Sequence, residues 1–158
     1  MSNADMQEYP GSANGACPHT YVALPFTTHQ GREGNLMRSP PLAAIIDDDI
    51  SMRESLPDLI REFGYRTRAF ASAAEFLVSD SLEEAGCLIL DVAMPGMSGP
   101  ALQEELIARA VHTPIIFITA NSNEVIRRRV IKNGAADVLL KPISESDLQD
   151  ALKKVFGV

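Results

Sequence analysis

Cysteine is scarce in this sequence of 158 residues, since Cys17 and Cys87 are the two it has. Two cysteines, one in a polar tract and one in an apolar run, are not the pattern of a disulfide framework, and they fit a reducing compartment. No apolar run reaches the roughly 18 to 20 residues of a membrane span, and no basic segment followed by an apolar one opens the chain. We therefore expect a cytoplasmic protein without a membrane segment.

Basic residues are also few. The chain has 14 Lys and Arg against 21 Asp and Glu, which gives a net charge of −7 and a pI near 4.9. Arg127, Arg128 and Arg129 form its one basic run, so the domain is not expected to bind nucleic acid directly. A hydrophobic content of 46% with 22% charged residues is typical of an ordinary globular protein with one core.

The first part of the chain differs in composition from the rest. Proline and glycine are frequent in residues 1–39, and no sustained apolar period occurs there. We expect residues 1–39 to be a flexible N-terminal tail and residues 40–158 to be one folded domain. Within the tail, Cys17 and His19 lack a second ligand pair at the spacing of a structural zinc site, so we do not expect one.

From Pro40 onward, short apolar runs alternate with helical segments. Five strands are predicted, at residues 42–46, 67–70, 87–90, 115–118 and 137–140. Four of these runs are continuously apolar, which is typical of parallel strands covered on both faces. The pattern predicts an α/β fold of five βα units, (βα)₅. This is a doubly wound, flavodoxin-like parallel sheet of five strands in the order 2-1-3-4-5.

Helix boundaries have their own signals. Side chains that can cap a helix N-terminus precede the predicted helices at Ser51, Ser72, Ser98, Asn121 and Ser144. Gly64 and Gly134 stand where the first and fourth helices are expected to end. Asp49 is a further candidate cap for the first helix.

Polar residues interrupt the pattern at the carboxyl ends of the strands, where ligands bind in such sheets. Asp47 and Asp48 end the first strand and Asp91 the third, so three carboxylates are expected to crowd together and to need a cation. Mg²⁺ suits carboxylate oxygens and completes its shell with water and phosphate. Thr119 and Lys141 end the next strands and offer hydrogen-bond donors to a phosphoryl group, with Asp91 as its nucleophile.

These residues carry a resemblance to a known family. The motifs I-I-D-D-D, L-D-V-A-M-P-G-M-S-G, I-T-A and L-K-P, across residues 42–156, resemble the receiver domain of two-component response regulators, the CheY-like superfamily. The resemblance implies a phosphoryl group received from a sensor histidine kinase or a phosphotransfer protein. By the same resemblance, Asp91 is the phosphoacceptor, Asp48 a direct Mg²⁺ ligand, Asp47 a ligand through water, and Ala93 a ligand through its backbone carbonyl.

The resemblance also assigns the donors. Thr119 would bind the phosphoryl group and switch rotamer, and Lys141 would pair with the acyl phosphate, often with a cis bond to Pro142. One position departs from the family: Val138 stands where a Phe or Tyr usually moves inward with the threonine. A change that reaches the face of the fourth helix, fifth strand and fifth helix would then depend on Thr119, the loop after it and backbone shifts.

The same face contains the basic run, and two interpretations of it stay open. Arg127, Arg128, Arg129 and Lys132 form either a solvated surface or part of a homodimer or partner surface.

Two other functions are weighed against the phospho-accepting switch. Asp47-x-Asp49 after an apolar strand also fits a haloacid-dehalogenase-type phosphatase, although Asp91 would then have no role. A receiver-like binding module that is never phosphorylated is the third reading, which Val138 supports and the complete set of polar residues opposes. The chain ends near the predicted end of the fifth helix, and whether an output domain follows is open.

Overall fold

The structure, a computed structural model, describes residues 38–157. Its strands are Leu42–Ile46 (β1), Arg66–Phe70 (β2), Cys87–Asp91 (β3), Ile115–Thr119 (β4) and Asp137–Leu140 (β5). Its helices are Ile50–Glu62 (α1), Ala73–Leu77 (α2), Ser81–Glu84 (α3), Gly99–Ala108 (α4), Glu124–Lys132 (α5) and Glu145–Phe156 (α6). The second predicted helix is thus divided into α2 and α3, and the later predicted helices are α4, α5 and α6. Cys17, His19 and nearly all of the predicted tail lie outside the described residues.

All five strands pair in parallel in the order β2-β1-β3-β4-β5, which confirms the predicted fold. Because consecutive strands run the same way, each connection crosses one face of the sheet, and every strand ends at the same edge. In the described part of the chain, no helix combines the length and apolar character that crossing a bilayer needs.

The sheet is covered on both faces, as its continuous apolar runs predict. Ala44 and Ile46 of β1 face a core that includes Leu102 of α4 and Val130 of α5. The alternate residues of β1 face a second core, which includes Leu56 and Ile60 of α1 and Leu148 and Leu152 of α6. Every residue of β1 and β3 is buried, whereas the edge strands β2 and β5 are partly exposed. Burial of each large aliphatic side chain contributes roughly 1.5–3 kcal/mol.

Three of the predicted helix caps are confirmed. Ser72, Ser98 and Ser144 each accept a hydrogen bond from the backbone N–H three residues later, at the starts of α2, α4 and α6. Gly64 and Gly134 each follow the C-cap residue of their helix, α1 and α5, with φ of +92° and +98°, a backbone conformation that a side chain disfavours. The predicted ends of those two helices are confirmed as well.

Two predicted caps are wrong. The N-cap of α1 is Asp49, whose carboxylate accepts from the backbone N–H of Ser51 at 2.8 Å, so Ser51 is a donor inside the first turn. The N-cap of α5 is Asn123, which accepts from the N–H groups of Val125 and Ile126. Asn121 is not the cap because its backbone is bonded to the Thr119 hydroxyl, and the helix begins after that turn.

Candidate functional site

The predicted polar residues lie at the carboxyl edge of the sheet. Asp47 follows β1, Asp91 is the last residue of β3, Thr119 is the last of β4, and Lys141 follows β5. The register sets Asp91 opposite Ile118 and Thr119 opposite Leu140, so the ends of neighbouring strands are level. With strands about 4.8 Å apart, side chains from three of them reach one another.

Three carboxylates form an acidic cluster, which consists of Asp47, Asp48 and Asp91. One oxygen of each lies within 4.8 Å of the others. Asp47 and Asp91 are 1% and 6% exposed, while Asp48 is exposed to solvent. Carboxylates that lie this close together, with two of them buried from water, repel one another strongly unless a cation lies among them or one carboxylate is protonated. The donor set, three carboxylates with one face open to water, fits a hard divalent cation such as Mg²⁺.

Lys141 supplies positive charge to two members of the cluster. Its ammonium donates a hydrogen bond to Asp47 Oδ2 at 3.0 Å and lies 3.6 Å from Asp91 Oδ1. The peptide bond between Lys141 and Pro142 is cis. Desolvation lowers the pKa of Lys141, but the hydrogen bond and charge of Asp47 and the charge of Asp91 outweigh it, and the pKa is raised. The lysine is therefore held in its charged form.

Burial raises the pKa of Asp91 to about 6, and the charge of Asp47 acts in the same direction. The Lys141 ammonium and a backbone hydrogen bond from Ala93 oppose this, and Asp48 adds a smaller increase. The surroundings of Asp91 thus disfavour its charged form, because Lys141 and the Ala93 N–H do not fully compensate for burial and for the neighbouring carboxylate of Asp47. A cation bound in the cluster would reverse that balance.

Asp47 is fixed by the turn that follows β1. Its Oδ1 accepts from the backbone N–H of Asp49 at 2.9 Å, and its carbonyl accepts from Arg53 of α1 at 3.0 Å. Together with the bond from Lys141, both carboxylate oxygens of Asp47 are engaged. Asp49, in contrast, points its carboxylate to the start of α1. The three consecutive aspartates therefore divide into two cluster residues and one helix cap, as predicted.

The Thr119 hydroxyl is engaged within its own loop. It donates to the carbonyl of Asn121 at 3.0 Å and accepts from the N–H of the same residue at 3.1 Å. Thr119 is therefore at the predicted strand end, but among the described residues its hydroxyl bonds to this loop. Its proposed contact with a phosphoryl group requires that the loop release it.

A cavity of about 50 Å³ lies between β4, β5 and α5. Thr119, Val138, Ile126, Val130 and Val92 are among the residues that line it. Val138 is itself buried, so a side chain smaller than an aromatic ring leaves space beside Thr119. Val138 and Thr119 therefore both face this cavity.

No sequence pattern assigned a role to Gly99, which is the last residue of the motif L-D-V-A-M-P-G-M-S-G. A Cβ atom on Gly99 would lie 2.3 Å from the carbonyl oxygen of Asp91 and 3.1 Å from a ring carbon of Phe117. Real Cβ atoms do not approach backbone this closely, so α4 can lie against the end of β3 only if this residue is glycine. Arg53 was missed as well, because a single arginine in a helix gives no signal of a contact to the preceding strand end.

A doubly wound parallel sheet with an acidic cluster and a lysine at its carboxyl edge defines a class of phosphate-handling signalling domains, and comparison with known proteins specifies the family. The profile described as "Response regulator receiver domain" matches residues 43–153. The chain therefore belongs to the response regulator receiver family. The general role of the family is to accept a phosphoryl group, within two-component systems, from histidine kinases. Its receiver domains typically bind Mg²⁺ and are generally not conventional enzymes.

Three similar proteins illustrate the relationship. Nodulation protein W of Bradyrhizobium diazoefficiens is 44% identical over 108 residues, which is 68% of this chain and 48% of that protein. Response regulator protein TmoT of Ectopseudomonas mendocina is 41% identical over 109 residues, 69% of this chain and 50% of that protein. The solved structure of response regulator StyR matches with a TM-score of 0.70 and 42% identity, over 75% of this chain and 60% of that one. The chain spans about half the length of the curated relatives that it matches.

The family assignment and the position of Asp49 both argue against the phosphatase alternative. That reading needs Asp49 as the second catalytic carboxylate, but the Asp49 side chain caps α1. The receiver-like module that is never phosphorylated belongs to the same family, and a phosphorylation experiment decides between it and the switch.

Proposed function

We propose that Asp91 is the phosphoacceptor of this receiver domain and takes its phosphoryl group from a sensor histidine kinase or a phosphotransfer protein. One observation carries the choice of Asp91 over its neighbour. Both oxygens of Asp47 accept hydrogen bonds of 2.9 and 3.0 Å, whereas the contact of Asp91 with Lys141 is a longer ion pair of 3.6 Å. A carboxylate whose oxygens are less engaged in short hydrogen bonds is the better nucleophile.

The transfer would exchange one bond to phosphorus for another. A carboxylate oxygen of Asp91 attacks phosphorus and forms the P–O bond, while the P–N bond to the donor histidine breaks and its electron pair leaves with the imidazole, which takes a proton from solvent. Lys141 neutralises charge on the phosphoryl oxygens, and Thr119, released from Asn121, donates a hydrogen bond to one of them.

The metal ligands in this proposal are Asp48 directly, Asp47 through water, Asp91, and the backbone carbonyl of Ala93. A Mg²⁺ ion bound there would neutralise the carboxylates and the developing charge of the transferred phosphoryl group. The protein's own turnover would then be limited to phosphorylation of Asp91 and slow hydrolysis of the acyl phosphate.

The experiment is phosphorylation of the purified chain by acetyl phosphate with Mg²⁺, followed by intact mass. We expect one added phosphoryl group on the wild type and none on Asp91→Asn. Asp58→Asn is the matched control, because Asp58 is exposed on α1 and paired with Arg61 away from the cluster, and it should react as the wild type does. Labelling of Asp91→Asn at the wild-type rate would show that another residue is the acceptor.

Beryllofluoride, a phosphoryl analogue, separates the switch from the never-phosphorylated module. Mg²⁺-dependent binding to the wild type that is lost in Asp91→Asn supports the switch. If the wild type neither binds beryllofluoride nor is phosphorylated by acetyl phosphate, the result supports the never-phosphorylated module. Val138 would then belong to a site that no longer responds to phosphorylation.

The surface of α5, β5 and α6 is our proposed partner or homodimer surface. Val125, Ile131 and Leu140 are large apolar side chains exposed there, beside the basic residues of α5. Exposed apolar residues rimmed by charge are typical of protein interfaces. We further propose a cytoplasmic location, no direct binding of nucleic acid by this domain, and the division into residues 1–39 and 40–158 that composition predicts.

A further inference from the structure

The start of α4 is packed against the backbone that carries Asp91. A Cβ on Gly99 would meet the Asp91 carbonyl oxygen at 2.3 Å and the Asp91 carbonyl carbon at 3.1 Å. The N–H of Gly99 also donates to the carbonyl of Val92 at 3.0 Å. Closely packed groups cannot move independently, so a shift of the backbone at residues 91–92 must move the first turn of α4 with it.

The next turn of α4 holds α5. Gln103 lies four residues after Gly99, is 2% exposed, and donates from Nε2 to the carbonyl of Val130 at 3.0 Å. Val130 is fully buried in α5, so this hydrogen bond joins the two helices inside the core. Glu104 adds a second, exposed link through its ion pair with Arg129. Position 103 therefore ties α4 to the helix that displays the basic surface.

The alternative connection between Asp91 and α5, through Thr119, has weak contacts in this chain. The Thr119 hydroxyl is bonded to Asn121, and Thr119 and Val138 both line a cavity of about 50 Å³. A movement of Thr119 would close part of this space before it displaced α5, because empty space transmits no contact force. Gln103 also lines a cavity of about 230 Å³ together with Asn133 and Gly134 at the end of α5. The link from α4 to α5 is therefore made by two direct contacts, the Gln103–Val130 hydrogen bond and the Glu104–Arg129 ion pair, and not by continuous packing.

We propose that α4 transmits the state of Asp91 to α5, with Gly99 as its contact to the phosphoacceptor strand and Gln103 as the positioning residue that moves α5. The ten residues of α4 form a rigid rod of about 15 Å. The inference rests on the proposed phosphorylation of Asp91, and it adds a route that uses neither Thr119 nor an aromatic side chain at position 138.

Gln103→Met is the central variant. Methionine keeps the length and volume of glutamine but removes the donor, and the carbonyl of Val130 keeps its bond from the N–H of Ala135 at 2.9 Å. The amide oxygen of Gln103, which has no protein partner within residues 38–157, is removed as well. We therefore expect the variant to fold, since no buried polar group loses its last partner.

The measurement is backbone amide NMR of the full chain, titrated with beryllofluoride and Mg²⁺. In the wild type, the amides of residues 129–133 should shift on saturation. In Gln103→Met, beryllofluoride should bind within about threefold of the wild-type affinity while those shifts fall by at least half. Unchanged beryllofluoride affinity together with smaller α5 shifts indicates a loss of coupling. A general loss of structure would instead weaken both the affinity and the shifts.

Two surface variants repeat the test without touching the core. Glu104→Gln removes the ion pair with Arg129 of α5 and should reduce the shifts in part, whereas Glu105→Gln removes an ion pair with Arg109 and should leave them unchanged. The proposal is overturned if Gln103→Met binds beryllofluoride and its α5 amides shift as in the wild type. It is equally overturned if the wild type binds and α5 does not respond. A wild type that does not bind beryllofluoride would instead contradict the proposed function.

Discussion

Lys141 is bonded to Asp47 rather than to Asp91 in this structure: its ammonium is 3.0 Å from Asp47 Oδ2 and 3.6 Å from Asp91 Oδ1. The lysine predicted to pair with the acyl phosphate therefore neutralises a predicted metal ligand. Asp47 is 1% exposed, so this ammonium is a main source of positive charge for a carboxylate that water hardly reaches. The stability of the domain should depend on it.

Replacement of Lys141 by Met should lower the free energy of unfolding by about 1–3 kcal/mol in EDTA, because a buried carboxylate loses its partner. Mg²⁺ should restore part of the loss, since a divalent cation supplies positive charge to the same carboxylates. Urea unfolding with EDTA and with Mg²⁺ measures both effects. Lys154→Met is the control: Lys154 and Asp137 form an exposed pair at 3.8 Å, and its loss should cost less than about 0.5 kcal/mol. Equal losses in the two variants would contradict a stabilising role for the buried pair.

The raised pKa of Asp91 predicts a pH dependence of opposite sign to that of most carboxylates. Its pKa is about 6 in the folded state and 3.8 ordinarily, so between these values the folded state binds more protons than the unfolded state. The folded state is therefore disfavoured by ionised Asp91 at neutral pH and regains stability as the pH falls through about 6. The gain should be complete near pH 3.8.

Asp91→Asn removes this titration. In EDTA at pH 7.5 the variant should be more stable than the wild type by about 1–3 kcal/mol, and the difference should shrink as the pH falls to 4.5. Urea unfolding of both proteins across this pH range measures the difference in the free energy of unfolding. The contributions of other titrating groups are common to both proteins and cancel in this difference. A difference between wild type and Asp91→Asn that stays constant with pH would contradict the raised pKa.

The fold and the location of the site were predictable because both follow from strong, repeated patterns. Continuous apolar runs mark strands that are covered on both faces, and β1 and β3 are buried throughout. Once the strands are parallel, their carboxyl ends meet at one edge by geometry alone. The polar residues that end those runs, such as Asp47 and Asp91, therefore had to lie together, whatever the details of the loops.

The details that sequence patterns missed depend on the path of a loop or on contacts between distant residues. Asn121 and Asn123 are the same residue type two positions apart, and the bonds between Asn121 and Thr119 decide which of them caps α5. The close approach of Gly99 to Asp91 depends on how α4 docks. Gln103 is the first of three consecutive polar residues on α4, and its partner on α5 is 27 positions away. Local periodicity contains no information on such pairs.

The unequal roles that we propose for Asp48 and Asp49 can be separated by parallel substitutions. Asp48→Asn should weaken Mg²⁺ binding at least tenfold, because it removes a carboxylate from the acidic cluster. Asp49→Asn should keep Mg²⁺ affinity within about twofold and stability nearly unchanged, since asparagine also caps helices. Asp49→Ala should lose about 1 kcal/mol of stability and still bind Mg²⁺. Titration calorimetry and urea unfolding distinguish the two effects. Comparable loss of Mg²⁺ affinity in Asp48→Asn and Asp49→Asn would show that both aspartates bind the ion.

The cavity beside Val138 predicts that this position accepts a larger side chain. Val138 lines a space of about 50 Å³ with Thr119, Ile126 and Val130, so the ring of Val138→Phe can grow into existing volume and should change stability by less than about 1.5 kcal/mol. Val138→Ala enlarges the same space and should cost about 1–3 kcal/mol. Urea unfolding of the two variants gives the comparison. As a control, Phe at Ile118, which is 1% exposed and lines no part of this cavity, should cost more than Phe at Val138. A loss for Val138→Phe as large as that for Ile118→Phe would mean that the space is not available to a side chain, and the valine would then be required by packing rather than tolerated beside a void.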